Sequence, residues 1–153
     1  MEWVLLAYRI PREPSTPRIA VWRGLRRLGV AQIGDGLVAL PMDARTKEQL
    51  EWIGDQITDA GGTATVWMAR LDSRRAERAL AAGMAAAVSV EYRDVIRAAK
   101  GAAAEAPTAR RRTLARLRRE LRRIGQRDYF PPAERDEARA AVEALAAELA
   151  ALS

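Results

Sequence analysis

Residues 3–41 read WVLLAYRIPREPSTPRIAVWRGLRRLGVAQIGDGLVALP, and this stretch decides the fold. The apolar run at 3–10 shows no helical period and stops at a proline, which predicts a buried strand. Ser15 and Thr16 then predict a hydroxyl cap for a helix. Two short apolar runs flank residues 34–36 (Gly-Asp-Gly), which tolerate positive φ, and this pattern indicates a β-hairpin.

A second helix and a fourth strand complete the pattern. Thr46 and Gln49 predict a capping box, and apolar residues follow at helical spacing. Residues 63–71 are rich in strand formers. The order β-α-β-β-α-β over residues 1–71 is typical of the ferredoxin-like unit, a four-stranded antiparallel sheet with both helices on one face. The sequence therefore predicts an α+β fold class.

Large side chains on the predicted helices are expected to fill the space under the sheet. Trp22 and Leu25 of the first helix, with Ile53 and Ile57 of the second, are predicted to point into that space. Core packing is also the expected role of Trp67, since a buried indole fills a large volume.

Residues 72–153 carry a helical pattern throughout. A short helix is expected to end near Gly83, and an amphipathic helix follows it. Thr108 begins an arginine-dense helix, and an acidic helix follows two prolines. Because the apolar residues of these last two helices share one spacing, we predict an antiparallel helical hairpin. The expected organisation is a ferredoxin-like domain over 1–71 and a helical extension over 72–153.

The composition excludes several kinds of chemistry. The 153 residues contain no cysteine and no histidine, so disulfides, thiolate catalysis, Cys/His zinc sites and histidine acid–base chemistry are ruled out. We expect neither an enzyme nor a cofactor nor a metal site. The net charge of +6 and the pI near 10.6 suit an anionic partner such as nucleic acid or an oxyanion. The absence of a signal peptide or membrane-spanning run predicts a cytoplasmic protein without a membrane partner.

The arginine-dense helix is open to two interpretations. Residues 108–127 hold nine arginines and one acid, Glu120. One interpretation is a phosphate-binding helix with salt-dependent affinity for nucleic acid. The other is a solvated helix whose arginines pair with the acidic last helix and with carboxylates nearby. The candidate nucleic-acid contacts share one side of the helix: Arg112, Arg116, Arg119 and Arg123.

A second basic cluster surrounds the start of the first helix. Helix N-termini and guanidinium forks both favour tetrahedral dianions, so this cluster is a candidate oxyanion cradle. The alternative is that the hydroxyls only cap the helix and the arginines only solubilise it. The candidate residues are Arg9, Arg12, Ser15, Thr16, Arg18 and Arg23.

Several short motifs occur in order along the chain. Residues 18–29 have the pattern Arg-x-x-x-Trp-Arg-x-Leu-x-x-Leu-Gly, and the hairpin after them ends in Leu-Pro. Glu91, Tyr92 and an Asp-Tyr-Phe-Pro segment at 128–131 come later. In this order the motifs resemble the N-terminal domain of the chromate-resistance regulator ChrB.

The resemblance implies a regulator of chromate-resistance genes. DNA is then the expected partner, chromate or a similar oxyanion the expected effector, and a homodimer the expected assembly. Many family members carry a second, C-terminal domain. This sequence stops at Ser153, so one expectation is that the second domain is carried by a separate polypeptide chain. The alternative function is an oxyanion-sensing or protein-interaction domain that does not bind DNA.

The first half is also similar to the ferredoxin-like domain of PaaX-type repressors and to the small CRISPR-associated adaptation nucleases. Those nucleases place an aspartate at the end of the first strand, where two copies in a dimer hold a divalent metal. The corresponding residue here is Arg9, and a cation repels a metal ion. Metal-dependent nuclease activity is therefore not expected.

Overall fold

In the computed structural model, which describes residues Met1–Leu152, the chain forms an α+β fold. This confirms the fold class that the sequence predicts. Two compact units, Met1–Ala81 and Ala82–Ser153, divide the chain. The elements in chain order are β1 (Trp3–Arg9), α1 (Ser15–Leu28), β2 (Ala31–Gly34), β3 (Leu37–Pro41), α2 (Ala44–Asp59), β4 (Thr63–Ala69), α3 (Arg74–Gly101), α4 (Pro107–Gln126) and α5 (Glu134–Ala151), with a short 3-10 helix (Ala102–Ala104) between α3 and α4.

The strands form one antiparallel sheet in the order β2-β3-β1-β4. β1 lies inside the sheet, where Trp3 faces Pro41 of β3 on one side and Ala69 of β4 on the other. A two-residue turn, Asp35 and Gly36, links β2 to β3. Gly36 has a φ of 70°, the positive value that the hairpin pattern requires. This connectivity is the ferredoxin-like arrangement that the sequence predicts.

The core of the first unit lies where α2 packs on β1 and β4 and α1 packs on α2. Val4 and Leu6 are fully buried and point to the same face of β1, because alternate residues of a strand share a face. Leu25 of α1 and Ile53 and Ile57 of α2 are buried too. These three residues were predicted to point into the core, and the structure confirms it.

Two tryptophans lie on the surface, so their predicted core positions are wrong. Trp22 is 55% exposed and Trp67 is 59% exposed. On α1 the buried residues are Val21 and Leu25, and the residue that follows Val21 is rotated about 100° away from it. Trp67 pairs in register with Leu5, so it lies on the face of the sheet opposite the buried Val4 and Leu6 and away from α2.

Two predicted helix boundaries also differ. α1 begins at Ser15 itself, so Ser15 and Thr16 lie inside its first turn and no side-chain cap bond forms. The helix that was expected to end near Gly83 continues as α3 to Gly101. Gly83 costs a helix about 1 kcal/mol relative to alanine, and the surrounding alanines, which have the highest helix propensity, offset that cost.

The capping box of α2 lies three residues before its predicted position. Asp43 and Thr46 form it, in place of Thr46 and Gln49. Asp43 Oδ1 accepts a hydrogen bond from Thr46 N at 2.7 Å, and Asp43 N donates to Thr46 Oγ1 at 2.9 Å. The backbone hydrogen bond from Thr46 holds the pKa of the Asp43 carboxyl below its usual value, since it favours the charged form.

The second unit is built from the later part of α3 together with α4 and α5. α4 and α5 pack on each other, and α3 supplies a third group of side chains to the same core, a contribution that the sequence pattern did not predict. The buried residues of this core include Tyr92, Val95, Leu117, Ile124, Val142 and Leu145.

Two polar contacts join α3 to the segment that follows α4. Tyr92 Oη donates a hydrogen bond to Asp128 Oδ2 at 2.7 Å, and the Arg127 guanidinium forms an ion pair with Glu91. Burial, reinforced by the Asp128 hydrogen bond, raises the pKa of Tyr92, so its hydroxyl keeps the proton that it donates. The later motifs of the ChrB resemblance therefore contact one another within the second unit.

Candidate nucleic-acid and anion-binding surfaces

The α4 arginine row, defined as Arg112, Arg116, Arg119 and Arg123, lies along one side of α4. The spacing of four, three and four residues keeps these side chains on one face of a helix. All four are exposed. The buried residues of α4 are Thr113, Leu117 and Ile124, which lie beside this face. The apolar contacts of α4 therefore leave the row in solvent.

Among the described residues, one arginine of the α4 row has an acidic partner. Arg123 forms an ion pair with Glu120 at 2.9 Å. Within Met1–Leu152, the guanidinium groups of Arg112, Arg116 and Arg119 form no ion pair, and no ion pair joins α4 to α5. Within Met1–Leu152 the exposed acids of α5 form no ion pair with the row, so the pairing with the last helix that the alternative interpretation includes does not occur there. Pairing with nearby carboxylates does occur, between Arg123 and Glu120 and between Arg127 and Glu91.

The dimensions of the row suit an extended anion. A rise of about 1.5 Å per residue places Arg112 and Arg123 roughly 16 Å apart along the helix axis. Double-stranded DNA carries one negative charge per ~1.7 Å, so a span of this length passes on the order of nine phosphates. A second set of exposed arginines lies on the adjoining face and widens the positive surface: Arg111, Arg118 and Arg122.

A groove of about 550 Å³ separates the outer surfaces of α1 and α2. The two helices approach closely beneath it because α1 has a glycine there: a Cβ added to Gly24 would lie 2.9 Å from Ile53 Cδ1. The lining residues are Ala20, Arg23, Gly24, Arg27, Leu28, Gln49, Trp52, Ile53 and Gln56.

The groove combines cationic, aromatic and polar groups. Arg23 and Arg27 come from α1, one turn apart, and the exposed indole of Trp52 comes from α2. Gln49 Oε1 is buried and has no hydrogen-bond partner among the residues that the structure describes. An unpartnered buried acceptor costs stability, and a bound group that donates a hydrogen bond would relieve that cost. The arrangement can hold a small anion between two guanidinium groups.

The predicted oxyanion cradle is only partly brought together. Of its six residues, Arg23 lines the groove, and it lies there with Arg27, a further arginine that the sequence places on the basic face of the first helix. The other five do not line the groove. The signal for Arg27 was its i,i+4 spacing from Arg23, which places both on one face of α1. The five residues outside the groove are Arg9, Arg12, Ser15, Thr16 and Arg18.

Arg9 ends β1, where its register partner on β4 is Thr63. Across Met1–Leu152, no group of three or more acidic residues is arranged to hold a metal ion. None of the helices in the same residues is long and apolar enough to cross a membrane.

Comparison with known proteins assigns the family. A family model described as "Protein ChrB, N-terminal" matches residues 18–153. The chain belongs to the ChrB N-terminal family. This confirms the resemblance of the sequence motifs, and both the α1–α2 groove and the α4 row fall inside the matched region.

One relative is Protein ChrB from Cupriavidus metallidurans, which is 32% identical to this chain over 66 residues. The alignment spans 43% of this chain and 20% of that ChrB protein, so this chain matches about a fifth of the relative. No solved structure matches this chain.

Proposed function

We propose that this ChrB-family domain is a DNA-binding regulatory module of the chromate-resistance response, without catalytic activity of its own. The observation that supports the proposal is the α4 row, in which Arg112, Arg116 and Arg119 are exposed, aligned and without ion pairs to any other described residue. Such a row suits the phosphate backbone, because each guanidinium that meets a phosphate releases condensed counterions.

The neighbouring helix orients the nucleic acid in this proposal. The exposed acids Glu137, Glu143 and Glu148 of α5 repel phosphate, whereas the α4 row attracts it. The duplex is therefore directed along α4 and away from α5. Contacts of this kind position a protein on DNA and do not read its sequence, so base recognition is assigned to other residues.

The test is a salt series of binding to two duplexes, one from the region upstream of the protein's own gene and one of random sequence. The variant Arg116→Ala/Arg119→Ala removes two adjacent charges of the row. The control Arg75→Ala/Arg78→Ala removes two exposed arginines at the same spacing on α3. Only the α4 variant is expected to weaken binding and to flatten its salt dependence. Equal affinities of the two variants at every salt concentration would remove the α4 row from the proposal.

A second function, which does not require DNA, is oxyanion sensing at the α1–α2 groove. Arg23 and Arg27 are the residues that support it, because guanidinium forks bind the oxygens of tetrahedral anions. Chromate has the shape and charge of sulfate, so selectivity is measured against sulfate.

Calorimetric titration with each anion tests this second function. The variant Arg23→Ala/Arg27→Ala is expected to lose the chromate signal. The control Arg26→Ala removes a guanidinium that stacks 4.9 Å from the Trp22 ring centroid and does not line the groove. Unchanged chromate binding in the double variant, or equal binding of sulfate, would argue against a chromate site here.

A further inference from the structure

The two edges of the sheet differ in how they are protected. β2 forms one edge and β4 forms the other. β2 has four residues and an irregular register between Gln32 and Gly34. Short strands and irregularities of this kind are the means by which proteins keep an edge from pairing with another chain.

β4 has none of these protections. Its seven residues, TATVWMA, include no proline, glycine or charged side chain. Three of its large apolar residues are exposed, with Val66 at 37%, Trp67 at 59% and Met68 at 58%. An uncharged, apolar strand at a sheet edge presents unpaired N–H and C=O groups that serve as a template for a further strand.

Apolar groups lie on both faces of β4. Val66 pairs in register with Leu6, so Val66 lies on the same face of the sheet as the buried core. Trp67 lies on the opposite face, where its Nε1 donates to Thr65 Oγ1 at 2.9 Å. A strand added at this edge would therefore contact apolar side chains on both faces, as in strand pairing.

We propose that β4 pairs with β4 of a second copy of this chain, antiparallel and about a two-fold axis at Val66. The distribution of charge favours a second copy of this chain as the partner of β4. The chain carries a net charge of +6, and two like-charged copies repel each other. β4 is uncharged along its whole length, so two copies of it can meet without that repulsion.

The two-fold register also keeps like charges apart. It sets Val66 opposite Val66 and Trp67 opposite Thr65 of the second copy, so that each indole gains a new neighbour. Arg70, the first charged residue after the strand, falls opposite Gly62 of the second copy, and like charges do not meet. The result is a continuous eight-stranded sheet with isologous contacts, the arrangement that a two-fold dimer requires.

The first experiment uses single cysteines, which the native chain lacks. Val66→Cys places one thiol at the proposed axis, and Ile33→Cys places one at the protected edge, where Ile33 is 46% exposed. Oxidation of the dilute protein, without DNA, is expected to yield a covalent dimer with Val66→Cys and essentially none with Ile33→Cys. Equal yields from the two variants would overturn the proposal.

The second experiment measures association by sedimentation. In Val66→Lys two ammonium groups would meet at the axis, and like charges directly opposite destabilise a strand pair. We expect the dimer dissociation constant to rise at least about tenfold, which corresponds to ~1.4 kcal/mol. Val90→Lys, at an exposed position of α3, is the control for the added charge.

Circular dichroism of the Val66→Lys monomer verifies that the domain is still folded. A parent chain that stays monomeric at all concentrations, or a Val66→Lys variant that dimerises like the parent, would refute pairing at β4. Because neither experiment contains DNA or an oxyanion, failure of this proposal is distinguishable from failure of the proposed function.

Discussion

Helices α1 and α4 are both rich in arginine, but they present their charges in different ways. On α1 the guanidinium groups have aromatic and polar neighbours: Arg26 stacks on Trp22, and Arg23 lines a groove. On α4 the four arginines of the row are exposed along one face of the helix. A concave site with two guanidinium groups suits one small anion, whereas a convex row suits a polyanion. Similar composition therefore supports two different kinds of binding.

The difference arises from how each helix is packed. α1 meets α2 at Gly24, where the two backbones come close enough to leave a groove along their outer surfaces. α4 packs through a narrow stripe that includes Leu117 and Ile124. The arginines of the α4 row lie outside that stripe and are exposed.

Breaking the packing of α1 should have the largest effect. Leu25 is 3% exposed, so Leu25→Ala is expected to lower the free energy of unfolding by about 2–5 kcal/mol, through lost burial and the cavity that remains. Urea unfolding followed by circular dichroism measures the change. Arg18→Ala, at an exposed position of the same helix, is the control and should change the free energy of unfolding by no more than about 0.5 kcal/mol. A loss within about 0.5 kcal/mol for Leu25→Ala would contradict the packing of α1.

Breaking the contact at the end of α4 should have a smaller effect. Tyr92→Phe removes the donor to Asp128 and leaves a carboxylate oxygen without that partner, which is expected to cost about 1–3 kcal/mol. Thermal unfolding measures the loss. Tyr8→Phe is the matched control, because Tyr8 is half-buried and none of the hydrogen bonds of the described residues involves its hydroxyl. Equal effects of the two variants would mean that the Asp128 bond contributes nothing.

Testing a double variant of each helix for binding of both DNA and chromate shows whether α1 and α4 prefer different anions. Arg116→Ala/Arg119→Ala should lower the slope of log K for DNA against log salt by about 1.8, or about 0.9 per lost contact. Its chromate titration should not change, and its unfolding free energy should shift by only ~0–1 kcal/mol. Arg23→Ala/Arg27→Ala should show the opposite pattern in the same two assays. If both variants affect both ligands equally, the two helices form no separate sites.

The smallest effect concerns the cap of α2, the helix that forms the second wall of the groove. Asparagine caps helices about as well as aspartate, so Asp43→Asn should be nearly neutral at neutral pH. The folded pKa of Asp43 is lowered from an ordinary value of 3.8. The stability from this carboxylate is therefore complete above 3.8 and is lost as the pH falls through the lowered pKa.

Comparing the parent with Asp43→Asn between about pH 5 and pH 2 measures this loss. The parent should lose more stability than the variant over that interval, because only the parent has a carboxylate to protonate at the cap. Parallel curves would show that the Thr46 hydrogen bonds do not depend on the charge of Asp43.

Strand and helix order was predictable from sequence because local signals agreed with one another. The apolar runs, the hairpin at Gly36 and the spacing of Ile53 and Ile57 each depend on residues close together in the chain. The capping of α1 was not predictable in the same way, because Ser15 can serve as a cap or as the first helical residue. The backbone conformation of the residues before it determines which of the two occurs. The exposure of Trp22 likewise depends on which of two adjacent residues meets α2.

The candidate surfaces also divide into one that local sequence predicts and one that depends on how the helices pack. The α4 row follows from helical spacing alone, and the sequence predicts its four residues. The pairing of Arg23 with Arg27 over the groove depends on where α1 crosses α2, which Gly24 and Ile53 determine by their close approach. No local pattern contains that information. The outer edge of β4 was likewise identifiable only after the strand order was known.

The length of α3 bears on how the protein could be dissected. The boundary between the two units, Ala81 to Ala82, falls inside this helix and not in a loop. Proteases cut exposed loops in preference to helices, so limited digestion should not release the first unit there. A fragment ending at residue 71 would also lose Glu77, whose carboxylate accepts a hydrogen bond from Trp3 Nε1 at 3.2 Å and pairs with the N-terminal ammonium. A stable fragment of the first unit should therefore retain the opening turns of α3.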